Sequence, residues 1–87
     1  MSFAVVEFLL TDRPVQTDIE LENDSMLEDL LPILEERFFS LMGRDREGFK
    51  EGFFSSVIIT LNGKIGGLRT RVKHGDRIRV FHLLEGG

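Results

Sequence analysis

Apolar and polar positions alternate with a period of two at both ends of this chain and with a helical period between them. Residues 3–10 put Ala4, Val6, Phe8 and Leu10 on one wholly apolar side, which predicts a strand, with Phe3 and Val5 on its other face. Turn chemistry follows at Thr11-Asp12-Arg13-Pro14, where proline stops strand pairing. Val15, Thr17, Ile19 and Leu21 then alternate with Gln16, Asp18, Glu20 and Glu22. That pattern predicts a half-buried second strand, and the short connection makes a hairpin with the first.

After Asn23-Asp24 the period changes. Ser25-x-x-Glu28 has the spacing of a capping box, which makes Ser25 the expected helix cap. Leu27, Leu30, Leu31, Leu34, Phe38 and Leu41 then fall on one helical stripe. Pro32 lies inside it, so a kink or an interruption of the first turns is expected, and Gly43 closes the helix. Residues 43–56 are rich in glycine and charge; they predict a loop or short irregular helix whose Phe49, Phe53 and Phe54 dock on the core edge.

Val57-Ile58-Ile59-Thr60-Leu61 predicts a third strand running into Asn62-Gly63, a strong two-residue turn signal. Residues 64–72 contain a Gly66-Gly67 break and room for one short strand. His74-Gly75-Asp76 turns again, and Asp76 is expected to hydrogen-bond within that turn. On the last strand Ile78 and Val80, and His82 at its end, face inward, while Arg77, Arg79, Phe81 and Leu83 face the other way.

A hairpin, one amphipathic helix and further strands make a β-grasp order in an α+β fold. A mixed sheet of four to five strands would pack one face on the helix, with the first and last strands parallel in the middle. The opposite face would gather Phe3 and Val5 near Phe81, Leu83 and Ile58. Val5, Ile58, Phe81 and Leu83 are the candidate partner contacts, because large apolar groups on an uncovered sheet mark a docking patch.

Composition narrows the chemistry. The 87 residues predict one domain over 1–87 with a flexible tail at about 84–87. Without cysteine the chain has no disulfide, thiolate metal site or thiol nucleophile. His74 and His82 are too few, with no clustered carboxylates, for a metal site. No nucleophile–base constellation is visible, and Gly66-Gly67 lacks the strand-to-helix setting of a phosphate loop. No signal peptide and no apolar run of about 20 residues is found, so a cytoplasmic location and no membrane contact are expected.

The net charge is −4, but residues 1–56 hold 5 basic and 13 acidic side chains whereas residues 57–87 hold 6 and 2. An acidic chain without an aromatic–basic motif does not predict nucleic acid binding. The basic end also carries Glu85-Gly86-Gly87. A diglycine end is a narrow arm without side chains, able to carry an α-carboxylate into a tight pocket. The other reading is a terminus where small residues are simply tolerated.

With these features the chain resembles the ubiquitin-like sulfur carriers, most closely the small subunit of molybdopterin synthase. The resemblance rests on the strand into Asn62-Gly63, on Leu68-Arg69-Thr70, on the Gly75-Asp76 turn, and on a final apolar strand ending in Gly86-Gly87. Gly48-Phe49 resembles the longer members and makes the thiamine-pathway carriers a poorer match. Members commonly have two prolines before the tail, where this chain has His82-Leu83-Leu84-Glu85.

The resemblance implies a carrier that is itself no enzyme and binds no cofactor. An E1-like enzyme would use ATP to adenylate the Gly87 carboxylate, with Gly86 as spacer, and sulfur transfer would leave a thiocarboxylate. The tail would enter the large subunit of molybdopterin synthase, in a heterotetramer with two copies of that subunit, and sulfur would pass to a pterin precursor. Two other readings stand beside it: a ubiquitin-like modifier conjugated to lysines, and a plain β-grasp interaction module with incidental terminal glycines.

Overall fold

The structure is a computed structural model that describes residues 1–10, 14–22, 25–42, 57–65 and 67–82. The 11–13 part of the first turn, the 43–56 segment with its three phenylalanines, Gly66, Leu83 and the 84–87 tail lie outside the described residues, as does the side chain of His82.

The elements run β1 (Ser2–Leu9), β2 (Val15–Leu21), α1 (Leu27–Met42), β3 (Val57–Leu61) and β4 (Arg77–His82). The described strands form one mixed sheet in the order β2-β1-β4-β3. β1 pairs antiparallel with β2 and parallel with β4, and β3 pairs antiparallel with β4. With the chain's first and last strands parallel at the centre, this is the ubiquitin-like β-grasp arrangement.

The expected register holds across the sheet. Ala4, Val6, Phe8, Ile19, Ile78 and Val80 are each no more than 1% exposed, and they meet Leu27, Leu30, Leu34 and Phe38 of α1 in one core. The Phe8 and Phe38 rings sit 5.5 Å apart at a tilted angle, tying helix to sheet. Burying each such ring contributes about 1.5–3 kcal/mol.

Four details differ from the sequence reading. Leu41 belongs to the stripe by spacing yet is 46% exposed, in the helix's last turn. The helix is not interrupted at Pro32; Pro32 and Glu28 are both exposed, so water can reach the Glu28 carbonyl that proline leaves without a donor. Residues 64–72 form no strand among those described, only single bridges of Lys64 to Leu61 and of Arg71 to Met26.

The fourth difference is the helix cap. The Ser25 hydroxyl donates backwards to the Glu22 carbonyl at 2.8 Å rather than accepting from Glu28. Backbone carbonyls cap the helix instead: Leu27 N–H donates to Thr70 O at 2.9 Å and Glu28 N–H to Leu68 O at 2.8 Å. Asp29 reaches back to the Met26 N–H at 3.0 Å. The Leu68-Arg69-Thr70 stretch thus satisfies donors that a helix start leaves unpaired.

Candidate functional site: the open sheet face

The sheet face turned away from α1 is organised in rows set by strand register. Phe81 on β4 stands opposite Ile58 of β3 and opposite Leu9 of β1, and all three are partly buried. Two residues towards the other end, Arg79 lies between Glu7 and Thr60. In the third row Arg77 pairs with Val5, which itself faces Asp18 of β2.

The candidate contacts are therefore divided. The register brings Ile58 and Phe81 together, whereas Val5 sits four residues back from Leu9 along β1, behind the Glu7–Arg79 row. Leu83 lies outside the described residues. Leu9 completes the apolar row and was missed, although the alternation through Phe3, Val5 and Glu7 already marked it.

The middle row is charged. The Arg77 guanidinium forms an ion pair with Glu7 Oε1, and Arg79 Nε stands 3.8 Å from Glu7 Oε2. Glu7 is the better shielded partner, its side chain 16% exposed against 44% and 41% for the two arginines. One carboxylate thus faces two guanidinium groups that remain open to solvent, with the exposed Asp18 beside Val5 in the next row. Thr60 Oγ1 and Arg79 Nε, cross-strand neighbours here, are shielded from solvent with no hydrogen-bond partner among the described residues.

As a central strand between β1 and β3, β4 ends at His82, one residue past the Leu9–Phe81–Ile58 row. Residues Leu83 to Gly87 follow it in the sequence.

Asn62-Gly63 and His74-Gly75-Asp76 hold the opposite end of the face. Asn62 and Gly63 both have positive φ, 52° and 84°, and Leu61 and Lys64 exchange backbone bonds of 2.8 and 3.1 Å around them. This is the two-residue turn that favours asparagine then glycine. Asp76 bonds within its own turn as expected, accepting from Lys73 N–H at 2.7 Å. His74 Nδ1 accepts from Phe3 N–H at 3.0 Å, fastening the start of β1. Among the described residues no group of three His, Cys, Asp or Glu side chains could hold a metal ion, and no helix is long and apolar enough to cross a membrane.

No protein-family model and no curated protein sequence matches the chain. Solved structures do. A crystal structure of small archaeal modifier protein 1 from H. volcanii is 20% identical with a TM-score of 0.59, covering 93% of this chain and 99% of its own. A second crystal structure of that protein, from Haloferax volcanii, is 22% identical with a TM-score of 0.60, covering 95% and 99%. Fold and comparisons together define a ubiquitin-like β-grasp protein, alike over nearly its whole length to a small archaeal modifier.

Proposed function

We propose that this chain is a ubiquitin-like sulfur carrier whose reacting group is the Gly87 carboxylate. An E1-like enzyme joins that carboxylate to the AMP moiety of ATP, releasing pyrophosphate. A sulfur donor then displaces AMP and leaves a thiocarboxylate, which donates sulfur in molybdopterin synthesis on the synthase large subunit. The observation that carries the reading is the exit of β4: the central strand ends beside the Leu9–Phe81–Ile58 row with five residues left, the last two glycines. A partner gripping that row and the arginines beside it could receive the tail within its reach. The chain itself acts as co-substrate, with no catalytic group of its own, in the cytoplasm.

The test is activation in vitro with ATP and the E1-like enzyme of the same organism, followed by intact mass. One oxygen replaced by sulfur, on a chain ending at Gly87, is the expected product. Deletion of Gly87 or Gly86→Val abolishes ATP–pyrophosphate exchange and leaves the melting temperature unchanged. Normal activation of either variant overturns the proposal.

Protein modification is the second reading, favoured by the description of the similar structures as a modifier protein. The same activated carboxyl would then end in an amide bond to a lysine. High-mass conjugates in cells, lost with Gly87, support it over sulfur transfer; sulfuration of a pterin precursor by the chain and the synthase large subunit supports the first.

A further inference from the structure

We propose that the outer edge of β3 is a docking site for an extended peptide with alternating apolar side chains and acidic residues at one end. This site adjoins the end of β4, where Val57 stands opposite His82, but it does not depend on the carrier reading.

β3 ends the sheet. Leu61 turns both its backbone groups away from β4, exchanging bonds with Lys64 instead. In an antiparallel pair such groups alternate in direction along the strand. Those of Ile59 and Val57 therefore also point outward, and among the described strands none pairs with them. The register with β4 runs from Val57 to Leu61 without a bulge, and the strand has neither charge nor proline. Edges are ordinarily blunted by such features. The opposite edge, β2, follows that rule with Asp18 and Glu20; β3 does not.

Beside this edge lies an apolar groove of about 420 Å³, lined by Leu27 and Leu31 of α1, Val57, Ile58 and Ile59 of β3, and Ile65 and Leu68 of the following loop. Ile65 is 78% exposed and Leu68 52%, high values for large apolar side chains. A strand added to β3 would satisfy the outward backbone groups and send alternate side chains into the groove, the usual way an open edge recognises a peptide.

Charge selects the occupant. Residues 62–75 hold four Lys or Arg and no Asp or Glu, and Lys64 and Arg69 are exposed next to the groove-lining Ile65 and Leu68. The exposed Glu28 lies on the helix side, so the acidic end of the peptide meets the loop side. A second copy offering its own β3 would bring no charge to meet these cations.

The full-length chain, labelled with ¹⁵N, is titrated with a synthetic peptide of alternating valine and threonine closed by aspartates. The amides of Val57 and Ile59 should shift and become protected from exchange. Ile65→Asp, at a solvent-exposed position, should weaken binding about tenfold or more. Arg69→Glu should weaken the aspartate-ended peptide and spare one ended with threonine. Equal binding of a peptide with scrambled order overturns the proposal, as does a response confined to Leu9 and Phe81. Peptide-free, concentration-dependent shifts along β3 would assign the groove to a second copy. Contacts of the Phe49, Phe53 or Phe54 rings with Ile65 in the free protein would assign it to residues 43–56 of the same chain. Either result overturns the proposal.

Discussion

Asn62 and Asp76 are 14 residues apart, and their side chains meet at 3.1 Å, Asn62 Nδ2 donating to Asp76 Oδ1. Asn62 Oδ1 accepts from Arg77 N–H at 2.9 Å, and the second carboxylate oxygen of Asp76 accepts from Lys73 N–H. The Asp76 carbonyl in turn accepts from Val5 N–H at 2.9 Å. Two short polar side chains thus join the β3 turn to the start of β4, and the Asp76 main chain ties the same corner to Val5 in the middle of β1.

The clasp gives a graded prediction. Asn62→Gly keeps the positive φ and loses the side-chain bonds, at a cost of roughly 1 kcal/mol. Asn62→Ala loses both the bonds and the ease of the left-handed conformation, at a cost of roughly 2 kcal/mol. Urea unfolding of the two variants and of Asp76→Ala, with the Asn62/Asp76 double variant, measures the coupling. Purely additive losses would show that the 3.1 Å contact contributes nothing.

The helix start supplies a second test. Because Glu28 N–H is held by the Leu68 carbonyl, Ser25→Ala should leave the Glu28 amide as protected from hydrogen exchange as before. A capping box would instead release the N3 amide. Asp29→Ala should expose the Met26 amide and cost roughly 0.5–1 kcal/mol.

That contrast shows where sequence reading reaches and where it stops. Asn62-Gly63 is legible because two consecutive positive φ values leave few other residue choices. Ala4, Val6 and Phe8 are legible because a two-residue period admits only one buried face. The cap on α1 is not, since its acceptors come from main-chain carbonyls about 40 residues on and leave no mark on side-chain identity. The candidate site is legible in part. Alternation separates the two faces of each strand, but only the parallel register shows that Phe81 stands beside Leu9 while Arg77 stands beside Val5.

Two phenylalanine and leucine positions on α1 share one stripe in sequence and should differ sharply in energy. Phe38, 1% exposed and packed on Phe8, should cost about 3–5 kcal/mol as Phe38→Ala. Leu41→Ala should cost no more than roughly 0.5 kcal/mol, as a surface change does. Thermal melts of the pair check it; a large loss at Leu41 would place the helix end in the core.

The open face should respond to charge by row rather than by apolar character. Phe81 lies between Leu9 and Ile58, one position before the strand end that leads into the tail, whereas Val5 lies beyond the Glu7–Arg79 row. A carboxylate at Phe81 would be desolvated beneath any partner that covers the apolar row, an interaction that interface centres do not tolerate. Phe81→Asp should therefore raise the KM for activation by the E1-like enzyme about tenfold or more. Val5→Asp introduces the same charge further from the tail, beside Arg77, and should raise it much less. Both side chains are only partly buried, so both variants should remain folded by circular dichroism. Equal effects at the two positions would remove the apolar row as the docking surface, and unfolding of Phe81→Asp would make Phe81 a core residue instead.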